Sequence, residues 1–184
     1  LALPGSGEAT RIVLGDANVA AFEAIANPQA WPFRTAVLAG PARSGKSLLG
    51  KWAAGQGVAV IDGADQWDEA ALFHRWNRAQ ESGEPLLLIA DRQPWAIVLP
   101  DLRSRLAGSL QLEIGVPDDE MVARLIEAIA EQRGLVLGEG ALDYLVPRAE
   151  RSFAEIERLV LAIDRLSLER KQPATMSLWR DALE

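Results

Sequence analysis

Short apolar runs alternate with amphipathic stretches through the first part of this chain, and the alternation stops abruptly. Thr35-Ala36-Val37-Leu38-Ala39, Val58-Ala59-Val60-Ile61 and Leu86-Leu87-Leu88-Ile89-Ala90 are near-continuous apolar segments of strand length, the pattern of parallel strands covered on both faces. Between them, residues 46–54 read as a helix closed by Gly55. Residues 68–82 read as a helix with Leu72, Phe73, Trp76 and Ala79 on one face and Gly83 as its stop. Pro100 opens a short helix through Leu106, and Leu110, Leu112 and Ile114 alternate with polar partners as a last strand. From there the pattern is helical only. Asp118 caps a helix to Arg133 that Gly134 closes, a second stretch lies at 141–146, and Ser152-Phe153-Ala154-Glu155 is a capping box for a helix to about Arg170. A last helix begins near Ser177. The expected fold is α/β with a parallel sheet, followed by a small all-α subdomain, with the boundary at Gly115 to Pro117.

Composition narrows the function classes. The 184 residues suffice for one α/β core with a small satellite. A net charge of −7 argues against a general phosphate-tracking nucleic-acid surface. The absence of cysteine excludes disulfides, thiolate metal sites and cysteine nucleophiles, and a single histidine, His74, excludes a multi-histidine metal site. His74 sits beside Phe73 off the apolar stripe and reads as a packing or surface residue. The six tryptophans lack the basic interleaving of a base-stacking platform. No apolar run approaches the roughly 20 residues that span a bilayer. A cytoplasmic protein without membrane attachment is expected.

The chemistry begins at the end of the first strand. Gly40-Pro41-Ala42-Arg43-Ser44-Gly45-Lys46-Ser47 fits the phosphate-cradling pattern G-x-x-x-x-G-K-[ST]. In such a loop, successive N–H groups and a helix N-terminus face an anion, Lys46 reaches the terminal phosphates and the Ser47 hydroxyl ligates Mg²⁺. Asp62, at the end of the second apolar strand, is the natural second Mg²⁺-holding group, with a strand-terminal turn aspartate as the other reading. Hydrolases usually place a further acid next, but position 63 is glycine; Asp65 either replaces that acid or is an Asx-turn residue. The pattern favours binding over fast turnover.

Taken in order, these motifs resemble a known family. The P-loop, the strand ending in Asp62, Phe73-His74-x-x-Asn77, the strand ending Ala90-Asp91-Arg92-x-Pro94, Asp101-Leu102-x-Ser104-Arg105-Leu106 and the helical tail are together similar to the AAA+ core of the bacterial replication initiator DnaA. They most resemble its short regulatory relatives, the Hda/HdaA family, over nearly the whole chain. The resemblance implies a regulator that docks on the DNA-loaded sliding clamp and stimulates hydrolysis of DnaA-bound ATP, with ADP or ATP and Mg²⁺ at its own site. It implies Asp91 as sensor 1 and Arg105 as an arginine finger acting in trans, a role that suits a guanidinium because it stays charged and spreads its donors over phosphoryl oxygens. Spacing alone does not choose between Arg105 and Arg103. The resemblance also places Val13 and Leu14 beside the adenine, and makes Leu1-Ala2-Leu3-Pro4 the latter part of a clamp-binding peptide. It divides the chain into an N-terminal segment (1–10), an AAA+ core (11–115) and a helical lid (116–184).

The chain departs from the family pattern in two places. The family's sensor 2 arginine falls at Ala154, with Arg151 and Arg158 nearby on the same helix. Only Gly55-Gln56-Gly57 separate the P-loop helix from the next strand, where the family has a further strand and helical material. Missing residues are the favoured explanation over a lost strand, which would expose a sheet edge. With Gly63, the departures put independent hydrolysis in doubt and suit a retained ADP. The alternatives are an autonomous P-loop ATPase, a DnaA-like replication initiation factor, or a scaffold that nucleotide merely stabilises. Sequence-specific DNA binding is not expected, and a homo-oligomer is open.

Overall fold

The computed structural model describes residues 12–92 and 94–184. Four parallel strands, β1 (Thr35–Ala39), β2 (Ala59–Asp62), β3 (Leu86–Ala90) and β4 (Leu110–Glu113), form one sheet in the order β2-β3-β1-β4. Every residue of β1 and β3 is buried, which is why both read as unbroken apolar runs. Their registers are level, Ala39 standing opposite Ala90, while Asp62 pairs with Ile89 and Glu113 with Ala39. The carboxyl ends of β1, β2 and β3 therefore finish on one edge of the sheet. Because β1 is flanked by β3 and β4, the chain leaving it sits at the switch point where open α/β sheets bind ligands.

The connecting helices are α2 (Lys46–Gly55), α3 (Glu69–Ser82) and α4 (Pro100–Ala107). α3 starts one residue later than the sequence pattern predicts, because Asp68 is its cap, its carboxylate accepting from the Ala71 N–H at 2.9 Å, and Gly83 takes the left-handed conformation at its end as expected. Its inner face, Leu72, Trp76 and Ala79, packs with Val37, Ile61, Leu86, Leu88, Leu102 and Leu106 into a core on one face of the sheet. A helix not expected from the sequence, α1 (Val19–Ile25), precedes the sheet. It has only seven residues, no side-chain cap and no acid in its first turn, so no local signal marks it. Phe22 on α1 stacks on Trp52 of α2 at 4.6 Å between ring centroids.

The abbreviated connection between α2 and β2 is a closed turn. Gln56 N donates to Ala53 O at 2.9 Å, Gly57 N to Ala54 O at 3.1 Å and Val58 N to Ala53 O at 3.2 Å, with Gly57 at φ 85°. Among the described residues no further strand covers β2, which forms an edge with Ala59 and Val60 only half-buried.

After the sheet come α5 (Asp119–Arg133), α6 (Ala141–Leu145), α7 (Phe153–Arg170) and α8 (Met176–Leu183). They share a core of Val122, Ile126, Leu145, Ile156, Val160, Ile163 and Trp179. The expected capping box at Ser152 does not form, for Ser152 makes no side-chain cap. Its own N–H, which the box would give to Glu155, donates to Glu150 O at 2.8 Å, and Glu155 accepts from Arg158 Nε at 2.6 Å instead. The fold divides into two compact units. One takes Asn18–Gly115 and the other Val116–Glu184 together with Val13–Ala17. No helix among the described residues is long and apolar enough to cross a membrane.

Candidate nucleotide-binding site

The loop after β1 has the backbone of an anion cradle. A Cβ at Gly40 would lie 2.9 Å from Ile114 Cβ and 3.2 Å from Ser44 Oγ, so the loop leaves the strand too close to its neighbours for a side chain. Gly45, at φ 88°, makes the left-handed turn that starts α2. Pro41, Ala42 and Arg43 are exposed, while Ser44 is buried. Its Oγ has no hydrogen-bond partner among the described residues. A buried hydroxyl held unpaired beside an N-terminal helix turn suits a polar or anionic guest.

Lys46 lies inside this loop. Its Nζ is buried and donates to Gly40 O at 3.0 Å and Pro41 O at 2.9 Å. The same ammonium stands 3.3 Å from Asp91 Oδ1, just beyond the end of β3. The structure therefore brings the P-loop lysine and Asp91, the residue that the resemblance makes sensor 1, together. Ser47, in the first turn of α2, and Asp62, the last residue of β2, are both exposed.

Asp65 turns out to be neither an Asx-turn former nor a free acid. Gly63, at φ 70°, starts a tight 3-10 turn over Ala64–Gln66 that swings Asp65 toward β3. There its carboxylate accepts from the Asp91 N–H at 3.1 Å and the Arg92 N–H at 3.0 Å. Burial works against the charge of Asp65, but hydrogen bonds from Asp91, Arg92, its own amide and Gln66 outweigh burial and hold its pKa below the ordinary value. A second such residue escaped the sequence reading. Glu69 accepts from Val98 N at 2.9 Å and Leu99 N at 2.6 Å, the backbone that leads into α4. In sequence it is an unremarkable acid in the first turn of α3, and nothing local points to its partner 30 residues on.

Arg105 is exposed in the last turn of α4, with its guanidinium 5.0 Å from the centroid of the buried Trp76 ring. Arg151 and Arg158, the arginines near Ala154, are both engaged. Arg151 pairs with Asp119, and Arg158 with Glu155. Ala154 is half-buried in the first turn of α7. Leu14 and Val13 belong to the stretch that groups with the helical unit, and Leu14 O accepts from Arg124 Nη1 at 3.1 Å. Leu1, Ala2, Leu3 and Pro4 lie outside the described residues.

Comparison with known proteins settles the fold. The structure resembles domain III of the replication initiation protein DnaA from Thermotoga maritima, with a TM-score of 0.78 at 15% identity over 94% of this chain and 93% of that one. It also resembles the T. maritima RuvB Holliday junction branch migration motor, with a TM-score of 0.63 at 15% identity over 92% of this chain and 69% of that one. The fold is that of an AAA+ domain. No family model matches the chain. In sequence it is 33% identical over 119 residues to an uncharacterized protein of Haemophilus influenzae, and 30% identical over 116 residues to the chromosomal replication initiator protein DnaA of Lactobacillus delbrueckii subsp. bulgaricus. The chain is thus homologous to the AAA+ region of DnaA. These matches take in 63% and 61% of the chain but only 51% of the Haemophilus protein and 25% of DnaA. A solved DnaA bound to AMPPCP and single-stranded DNA shares the fold with a TM-score of 0.64 at 20% identity, over 87% of this chain and 66% of that one.

Proposed function

We propose that this AAA+ chain is a regulator of the Hda type, which holds an adenine nucleotide and, with the DNA-loaded sliding clamp, stimulates hydrolysis of DnaA-bound ATP. The observation that carries the nucleotide part is the placement of Lys46 between the P-loop carbonyls and Asp91, beside the unpaired Ser44 hydroxyl. The loop N–H groups and Lys46 would hold the phosphates. Ser47 and Asp62 would hold Mg²⁺, whose role when bound is to neutralise phosphate charge.

The regulatory part is supported by what the site spends its acids on. Asp62 is followed by glycine, and both oxygens of Asp65 are engaged with backbone N–H groups. Neither position offers a spare base to orient a water, so the site suits retention of ADP over turnover. Arg105, by contrast, is exposed and carries a charge that cannot be lost, as a group acting on a partner's phosphates must. The family's clamp peptide, assigned to Leu1-Ala2-Leu3-Pro4, supplies the docking part of the proposal.

The test is turnover of DnaA-bound ATP with DNA-loaded clamp, comparing this protein with its Arg105→Ala variant. Stimulation by the wild type and none by the variant is expected; equal stimulation removes the role given to Arg105. Steady-state ATP hydrolysis by the isolated protein, abolished by Lys46→Ala, would replace the regulator with an autonomous ATPase.

A further inference from the structure

Two carboxylates of the β2–α3 corner grip the chain at both ends of the segment that joins β3 to α4. Asp65 takes the N–H groups of Asp91 and Arg92, and Glu69 takes those of Val98 and Leu99. Each acid uses its two oxygens on two successive amides, an arrangement that fixes backbone direction as well as position. Between the grips, Trp95, Ile97 and Leu99 pack against the core under the sheet. The two ends so held carry the two groups of interest. Asp91 faces Lys46, and Leu99 is the N-cap of α4, which bears Arg105. α4 has no side-chain cap of its own, and Glu69 instead accepts from its N-cap amide, Leu99, and from Val98 just before it, fixing the chain that enters the helix.

We propose that Asp65 and Glu69 form a brace that registers Asp91 and the Arg105 helix to one corner of the nucleotide core. They are positioning residues. Asp65 acts through the backbone of Asp91, and Glu69 acts through the start of α4. Their functional consequence rests on the roles proposed above for Asp91 and Arg105, but the brace itself is a property of this chain alone. Loss of Glu69 releases α4 while leaving the P-loop contacts of Lys46 in place. Loss of Asp65 releases Asp91, and so disturbs the nucleotide site directly.

The experiment reads each arm separately on the full chain. Amide hydrogen exchange followed by NMR should show Asp91 and Arg92 exchanging at least tenfold faster in Asp65→Ala, and Val98 and Leu99 doing so in Glu69→Ala, with the other pair unchanged in each. Mg²⁺-ADP affinity should change several-fold in Asp65→Ala and stay within twofold in Glu69→Ala, and Glu69→Ala should lose most of the stimulation of DnaA-bound ATP hydrolysis. Glu69→Gln keeps one acceptor oxygen and should recover part of that loss. Unchanged amide exchange in both variants overturns the brace, whatever the assay gives. Full stimulation by Glu69→Ala, in a system where Arg105→Ala is dead, overturns its role in positioning Arg105. If Arg105→Ala is itself without effect, the regulator reading fails and the exchange data still decide the brace.

Discussion

The Lys46 ammonium meets the Asp91 carboxylate at 3.3 Å while donating to Gly40 O and Pro41 O at 3.0 and 2.9 Å, so two of its donors are held by the loop while its charge faces an acid. A phosphate that binds there shares the ammonium with these partners, and Asp91 is the one that repels it. Lys46→Ala should therefore weaken Mg²⁺-ADP binding by roughly 10- to 100-fold, the range of a charge-assisted hydrogen bond plus loosening of the loop. Asp91→Asn keeps an acceptor for Lys46 and removes the like charge, so the ratio of ATP to ADP affinity should rise. Isothermal titration with both nucleotides checks this, and a fall in the ratio would show that Asp91 does not compete for the lysine.

Asp65 gives the stability of the core a defined pH dependence. Its folded pKa lies below the ordinary value of 3.8, because the hydrogen bonds to its carboxylate outweigh burial. A depressed folded value means that the native state prefers the ionised form. The stabilisation is complete above 3.8 and is lost as pH falls through the lower folded value. Urea unfolding of wild type and Asp65→Ala should show a gap that is constant at neutral pH and closes as pH falls below 3.8. A gap that persists unchanged into acid would mean that the charge of Asp65 is not what holds the amides of Asp91 and Arg92.

Arg105 is pre-oriented by the Trp76 ring, and the two roles of that contact separate by mutation. An exposed guanidinium over an aromatic face contributes about 0.5–1 kcal/mol, so Arg105→Ala should leave the fold nearly as stable while removing stimulation of the partner. Arg105→Lys keeps the charge but loses the planar fork, and should restore little. Trp76→Phe keeps a ring under the guanidinium and also deletes a buried indole N–H that has no partner among the described residues. Its stability should change by less than about 1.5 kcal/mol, since loss of ring volume and loss of an unpaired donor oppose each other. Thermal unfolding and the partner assay on the three variants test the set.

The parts of the fold legible in the sequence were those written in local pattern. β1 and β3 are apolar at every position but Thr35 because they are covered on both faces, and α3 and α5 carry aspartate caps and glycine stops that work as their types suggest. The P-loop was legible because its glycines answer to local geometry, the close approach at Gly40 and the left-handed turn at Gly45. What was not legible depends on partners far along the chain. Asp65 and Glu69 look like turn and first-turn acids, and only the parallel pairing of β2 with β3 brings them to amides 26 to 30 residues away. Ser152 failed in the opposite sense: its motif is complete, but Glu150 and Arg158 take the groups that the box would have used.

The helical unit has its own test in Asp164, a buried acid of α7 that accepts from Arg133 Nε at 3.0 Å and lies 2.9 Å from Arg133 Nη2. Arg133 ends α5, so the pair ties the last turn of one helix to the middle of another. The two partners are unequally placed: the Asp164 side chain is 10% exposed and that of Arg133 51%. Removing the acid leaves a guanidinium that water can reach, whereas removing the arginine strands a carboxylate in the core. Breaking a fully buried pair costs about 3–5 kcal/mol, and the half-exposed arginine reduces this. Asp164→Ala should therefore cost about 1–2 kcal/mol and Arg133→Ala distinctly more, with Arg133→Lys in between because a lysine can still supply the charge. Denaturant unfolding of the three variants at neutral pH orders them. An Asp164→Ala loss equal to or larger than that of Arg133→Ala would show that packing around α7, rather than compensation of the buried charge, governs this contact.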